Sequence, residues 1–536
     1  MLTALAWLSL AQVVSPTDAH RPEPVLLASE PGTAVTEVAR RPGEVFHPQE
    51  VRPLPGQLNQ VPVFNSNSPE LVQRDGILLS TFPKEGMASP DAHLNLPFEG
   101  RFNIFAHHIA RGLDPQDRRT LFIGVVIYNP TSEPITLDIF QGVSYLSQEA
   151  PFRNLPSYVA NPNGSVYSGP GSRTVTDMLQ GRHQSQWPSQ VTVPPRQAYL
   201  LMNAPIPLRQ LSGSADATLP PGSVLSFAPS SGVDETLVAS TDPAAIANNV
   251  TVGAVRLPSN GRSAMLYLSS SGPVYAASLA MYAPRDNSGR ERAPTLQEWL
   301  TLLVNGDLSG PRDIPPTDPE KFDKNNEQER FFYGRVAGVA RGSQWTSFVT
   351  DTPGGTELTI PKSGEAYSYV ISTVDYNTFG TNQIQSAPML VRYPDTAYRA
   401  HGNYGVRYQI SLPFYNPTDA TQQVVLKLQT PLQDETLRTG LRFSQRPEDR
   451  IFFRGTVRLG FSTNIGVQRS RYVHIVQRQG QAGEPLLQVS IPPRGRRLVE
   501  VDFIYPPDAT PPQVLTISTL ENPALIEASA SVPTTP

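Results

Sequence analysis

The chain has 536 residues, 55 of them proline and 38 glycine, is 39% hydrophobic and carries a formal charge of −4. So balanced a charge argues against nucleic-acid binding, which needs a basic footprint to neutralise phosphates. The absence of any cysteine excludes disulfides, thiolate metal sites, a cysteine nucleophile and a lipidated cysteine anchor.

The length implies two or three domains of roughly 100 to 200 residues, and frequent turn residues in a foldable composition suit short strands. The chain opens on MLTALAWLSLAQVVSPTDA, an apolar run of about a dozen residues, short for a membrane-spanning helix and matched to a signal-peptide core. Residues 1–19 are therefore expected to be a signal peptide, cut after Ala11 or Ala19, although no Lys or Arg precedes the run. No later run is long enough to cross a bilayer as a helix, so the mature chain is expected to be soluble. Residues 20–62, with repeated Pro and scattered charges, predict an extended lead-in.

From there GILLSTF, TLFIGVVIY, ITLDIF and QAYLLMNA follow one another. Each is short, rich in branched and aromatic residues and bounded by Pro, Asn, Gly or Asp, which predicts strands. Two stretches share the letters YNPT between apolar runs, at Asn129 and at Asn416, 287 positions apart. Four more pairs follow in the same order: LLST with VIST (Ser80, Ser372), FAHH with RAHG (His107, His401), QVTVPPR with QVSIPPR (Pro194, Pro492) and DATLPPGSVLSF with DATPPQVLTI (Asp216, Asp508). Collinear matches at nearly constant offset predict an internal duplication, with copies over about 76–230 and about 366–520. Asn opening a turn bonds the backbone ahead and Pro presets the next φ. Strand, proline turn, strand, repeated, predicts an all-β chain of two duplicated immunoglobulin-like antiparallel β-sandwich domains, 63–290 and 331–536.

Residues 291–330 are expected to connect them through one helix. In APTLQEWLTLLVNG, Thr295 and Glu298 fit a capping box, Leu296, Trp299, Leu300 and Leu303 share a face, and Asn305-Gly306 ends the helix. DPEKFDKNNEQE, 318–329, is rich in oxygen ligands but lacks the glycine and the register of a calcium loop, and is expected to be a solvated linker.

Candidate sites are few. His93, His107 and His108 fit no zinc spacing, and His107 is expected to be matched by His401, which favours a structural role for both. GRSAM at Ser263 has only the first glycine of a nucleophile elbow, and GPGSRT at Gly169 fails the dinucleotide pattern. Trp187, Trp345, Tyr167 and Tyr404 are possible sugar-stacking aromatics whose ordinary alternative is the core. Arg494, Arg496 and Arg497 are expected either to meet an anionic polymer or to block a strand edge. The binding candidates are thus His107, His108, His401, Tyr404 and Trp345, with no catalytic residue, metal or cofactor expected.

VPVFNSNSPELVQRDGILLSTFP, GRFNIFAHH, RVAGVARGSQW, APMLVRYPDTAYRAHGNYGV, LPFYNPTD, FFRGTVRL and VEVDFIYPPDATPPQVLT together resemble a cyanobacterial family known only as a domain of unknown function, over about 51–520. The resemblance implies an exported cell-envelope protein and supplies no catalytic residues. The function expected is therefore non-enzymatic, structural or binding, toward envelope polysaccharide or another envelope protein. The alternative is a carbohydrate-binding or carbohydrate-processing protein.

Overall fold

The computed structural model describes residues 41–213, 218–229, 257–323, 326, 329–435, 438–462 and 466–521. The expected signal peptide, residues 20–40 of the lead-in and Asp216 lie outside them.

Among the described residues, nearly all of the regular secondary structure is strand. The N-terminal half contains β1 (Glu44–Pro48), β2 (Glu50–Pro53), β3 (Gln57–Leu58), β4 (Pro62–Ser66), β5 (Leu71–Val72), β6 (Gly76–Ser80), β7 (Phe98–Arg111), β8 (Thr120–Tyr128), β9 (Ile135–Leu146) and β10 (Tyr158–Ala160). Then come helix α1 (Pro170–Leu179), β11 (Gln190–Val193), β12 (Ala198–Pro207), β13 (Ser259–Tyr282) and helix α2 (Leu296–Asn305). The C-terminal half begins with β14 (Ala337–Arg341), β15 (Gln344–Phe348), β16 (Leu358–Thr359), β17 (Ala366–Ile371), β18 (Ala387–Arg392), β19 (Arg399–Ala400) and β20 (Arg407–Tyr415). It closes with β21 (Gln422–Gln429), β22 (Gly440–Ser444), β23 (Ile451–Ser462), β24 (Gln468–Arg478), β25 (Leu487–Ile491), β26 (Arg496–Ile504) and β27 (Gln513–Thr519).

β13 joins two sheets. Its first part, to Ser270, lies between β7 and β9; from Tyr275 it lies between β6 and β8, which also pairs β12. The register with β7 breaks between Ser270 and Val274, at Ser-Gly-Pro, where proline offers no ladder donor. Phe64, Phe102, Ile104 and Leu266 pack with Ile123, Val125, Ile127 and Leu201 in one core. In the C-terminal half the sheet β10-β24-β23-β26-β20-β15-β3 faces β2-β17-β27-β21-β25. Tyr408, Phe453 and Phe503 fill the space against Tyr369, Leu426, Leu515 and Ile517.

The order β11-β9-β13-β7-β4 in the first half repeats as β25-β21-β27-β17-β2 in the second, with the last pair parallel in both. YNPT links β8 to β9 and β20 to β21, and the Pro-Pro turn links β11 to β12 and β25 to β26. In the first copy the Asn129 side-chain N–H groups reach the carbonyls of Glu133 (2.7 Å), Val193 (3.0 Å) and Pro194 (3.1 Å). Its oxygen accepts from the Thr131 backbone (2.9 Å) and hydroxyl (2.8 Å). Asn416 repeats each contact, to Ala420 (2.8 Å), Ile491 (3.0 Å), Pro492 (3.0 Å) and Thr418 (3.0 and 2.8 Å). Both amides are fully buried, so each joins two turns that cross between facing sheets.

Three of the five sequence matches do not sit at equivalent places. LLST lies on β6 beside the second part of β13, whereas VIST ends β17 beside β27. FAHH lies in β7, whose counterpart by pairing is β17, while His401 follows β19. DATPP leads into β27, whereas residues 219–227 form only isolated bridges.

Two boundaries also change. The lead-in is partly strand: β1 pairs β22, β2 pairs β17 and β3 pairs β15. Strand β14, beyond 331, pairs β4 and so extends the N-terminal sheet through β18. The halves exchange strands because open sheet edges on each side are completed by the other's chain. Helix α2 forms as expected, with Thr295 and Glu298 capping reciprocally. Its Trp299 lies over Gly124 of β8, where a Cβ would come within 2.6 Å of the indole.

Removing either amide strands buried carbonyls in two turns at once. Asn129→Ala or Asn416→Ala is expected to lower stability by about 2–4 kcal/mol, and Asn→Asp by no less, since a carboxylate cannot donate to three carbonyls. Urea unfolding checks this; an unshifted midpoint in both alanine variants contradicts it.

Candidate functional site

β7 carries His107 and His108 on opposite faces, as successive strand residues must be. Ser263 of β13 stands directly across from His107, its hydroxyl 2.7 Å from His107 Nδ1. The Glu70 carboxylate is 3.7 Å from Nε2. This serine–histidine–carboxylate row has the composition of a hydrolytic triad. Ser263, however, is 0% exposed and flanked by β7 and β9, not raised on a strand-to-helix elbow. It works as a buried strut.

Arg335 closes the row from the C-terminal half, donating to Glu70 at 2.7 Å and to Asp313 at 2.7 Å. Burial opposes ionisation of Glu70, but the Arg335 charge and His107 outweigh it and hold the carboxyl well below its usual range. On the other face, His108 Nδ1 donates to the Pro69 carbonyl (2.8 Å), so Nε2 accepts from the Ser66 hydroxyl (2.9 Å). Burial lowers the His108 pKa to about 4. His93, also buried, lies 2.8 Å from the Ser80 hydroxyl.

A second set of polar contacts surrounds α1, which wedges between β9 and β13 on one side and β23 and β26 on the other. Ser172 meets His474 Nε2 at 2.9 Å, and Thr176 meets Thr456 at 2.8 Å. Burial takes His474 down to about 4, and the Arg454 charge adds to this. The glycines of GPGSRT serve this packing: a Cβ on Gly171 would meet the Pro507 ring at 2.3 Å.

The remaining candidates are mostly interior. Trp345 is buried, stacked 6.4 Å from Tyr408, and donates to the Pro55 carbonyl at 3.1 Å. Tyr404, partly buried, lies 6.2 Å from Tyr505 and donates to Ala509 O at 2.8 Å. Trp187 fills the first core and donates to Leu201 O at 2.9 Å, and Tyr167 lies beneath the guanidinium groups of Arg153 and Arg173. His401 bonds the Gly334 carbonyl and rests 5.3 Å from the Tyr333 ring. His107 and His401 are therefore not duplicates. They are brought near each other through Gly334, Arg335 and Glu70. Arg494 and Arg496 pair with Asp419 and Glu357; β26 pairs β20 along its length but β23 only over Val499–Phe503, so Arg496 and Arg497 stand where the strand is paired on one side.

The linker is not simply solvated. Phe322 and Phe331 pack on Tyr376 with ring centroids 4.6 and 4.8 Å away, and Phe331 also meets Tyr333 at 4.8 Å. Tyr376 is 37% exposed and sits in a loop where Ser372, Tyr376, Phe379 and Asn382 all have φ between 51° and 59°. Such left-handed conformations of non-glycine residues are costly and cluster at functional sites. Neither this cluster nor Glu70 and Arg335 carried a sequence signal, and GRSAM marked Ser263 without its partners, since the members come from segments far apart in the chain. Among the described residues, no group of three or more His, Asp or Glu could hold a metal ion, and no helix is long and apolar enough to cross a membrane.

These features define an all-β protein of several packed open sheets with His93, His107, His108 and His474 set in internal polar contacts. The chain belongs to a family described as proteins of unknown function, DUF3370, which matches residues 49–519. No curated protein matches it. Among solved structures, the coconut allergen cocosin is 9% identical, with 79% of this chain and 78% of that chain covered and a TM-score of 0.11. Procruciferin, the 11S globulin of Brassica napus, is 9% identical, with 84% and 85% covered and a TM-score of 0.10. Scores this low carry no argument.

Because His108 and His474 hold pKa values of about 4 when folded, against about 6.5 when unfolded, the unfolded chain takes up protons first. Their contribution is present above about pH 6.5 and is lost as pH falls through about 4, at roughly 3 kcal/mol each. The urea midpoint should therefore drop between about pH 7 and about pH 5, and His474→Gln should flatten that drop by about one proton. A midpoint independent of pH in the wild type contradicts the assignment.

Proposed function

We propose that the protein is a non-enzymatic, exported component of the cell envelope, built from two duplicated immunoglobulin-like sandwich units. It acts in structure or in binding a surface polymer or another envelope protein. The observation that carries this reading is the burial of Ser263 and His107 in the row with the half-buried Glu70. The side chains best suited to chemistry are spent tying the two halves together, with Arg335 bridging them. The apolar run over residues 1–19 supports export.

A second reading, carbohydrate binding or processing, is favoured by one surface feature. The exposed Tyr376, backed by Phe322 and Phe331, has the amphipathic aromatic character on which a sugar ring stacks.

The native protein is expected in the periplasmic or outer-envelope fraction, with an N-terminus just after Ala11 or Ala19 by terminal sequencing. Uncleaved chain in the cytoplasm would sink the export reading. For the second reading, a glycan array and a hydrolysis screen on envelope polysaccharide should give a signal that Tyr376→Ala lowers about ten-fold; silence in both removes it.

A further inference from the structure

At the end of the first half where β7, β12 and β13 finish, four arginines converge on an open cleft of about 550 Å³. Arg118 and Arg119 come from the loop after β7, Arg209 from just beyond β12, and Arg285 from the turn after β13. Asp114, Asp117 and Glu291 share the lining. Each of these acids is already engaged. Asp117 receives both arms of Arg119 at 2.9 and 2.7 Å and the Leu113 N–H at 3.1 Å. Glu291, buried, accepts the Thr120 hydroxyl at 2.8 Å and lies 3.5 Å from Arg209. Asp114 accepts the Gln116 N–H at 2.8 Å.

Four guanidinium groups thus face three occupied carboxylates, which leaves the cleft positive in a chain whose overall charge is negative. The cations are held in place before any ligand arrives. Arg119 lies 3.8 Å from the centroid of the Tyr282 ring and Arg209 lies 3.3 Å from that of Phe227. Arg209 Nε is buried without a hydrogen-bond partner. Arg118 donates to Pro115 O at 2.8 Å and to Asp117 O at 3.2 Å, and Arg285 to Gly289 O at 2.7 Å, bonds that brace their loops. Guanidinium groups oriented in this way suit paired contacts to a tetrahedral oxyanion, and the volume is in the range of small-ligand sites.

We propose that this cleft binds a phosphate or sulfate group, with Arg285 as its direct contact and Arg118, Arg119 and Arg209 as fixed positive walls. The inference does not depend on the proposed envelope role.

The test is calorimetry on the full chain at low ionic strength with inorganic phosphate, dextran sulfate and neutral dextran. The wild type should bind phosphate and dextran sulfate and not neutral dextran, and Arg285→Gln should weaken binding about ten-fold. Arg118→Gln, which removes a wall charge, should weaken binding less than Arg285→Gln does, while Arg494→Gln, on a distant turn, should not weaken it. Arg285 is exposed, so its variant should keep the wild-type melting temperature and remain interpretable even if Arg118→Gln does not fold. Dextran sulfate binding far tighter per group than inorganic phosphate identifies a polymer-borne oxyanion, and equal affinity a free ion; both support the site. No binding of either anion by the wild type, or binding unchanged in Arg285→Gln, overturns it.

Discussion

The architecture depends on one buried amide used twice. Asn129 and Asn416 each donate to three carbonyls belonging to two different turns, and both turns pass from one sheet to the sheet facing it. A backbone turn closed only on itself would leave the crossing free to shift. An amide with two donors and one acceptor satisfies carbonyls that the corner would otherwise strand away from water. Asparagine alone has the length and the donors to do this. Aspartate has the shape and lacks the donors, and glutamine would place the amide one methylene too far. The β8–β9 and β11–β12 connections, and their counterparts in the second half, are held at a fixed separation by this side chain. The facing strands then meet with cores of Phe, Ile and Leu between them.

Once the sheets are held, the polar residues between the halves have little freedom. Arg335 from the C-terminal half must be neutralised where it is buried, and Glu70 and Asp313 do so. An isolated buried charge would be expensive, so both acids and the guanidinium are retained together. His108 and His401, beside this network, act as hydrogen-bonding partners for a hydroxyl and for carbonyls. Their depressed basicity follows from burial and explains why residues of catalytic type occur here without being open to a substrate.

Much of this was legible in the sequence. The strands, the capping box of α2 and the recurrence of the YNPT and Pro-Pro turns are local patterns, recorded in residues within about a dozen positions of one another. Helix α1 was not legible: PGSRTVTDML is short and sets only Val175, Met178 and Leu179 on its apolar face, while Ser172 and Thr176 meet polar partners on β24 and β23 and nearly every side is covered. The FAHH and RAHG match misled for a related reason. Four letters do not say which strand lies alongside, and the pairing of β7 with β13 and of β19 with β18 assigns the two histidines different surroundings.

Local chemistry settles where strands begin and end and which turns can join them, since these follow from backbone preferences and hydrogen-bonding reach. Partnership is a different matter. That Glu44–Leu58 threads into the sheets of the C-terminal half, that β14 returns to the N-terminal half, and that Ser263 comes to lie beside His107 and Glu70 were decided only when the chain closed on itself. Those contacts span tens to hundreds of residues, and their energy comes from burial shared among segments that carry no mark of one another.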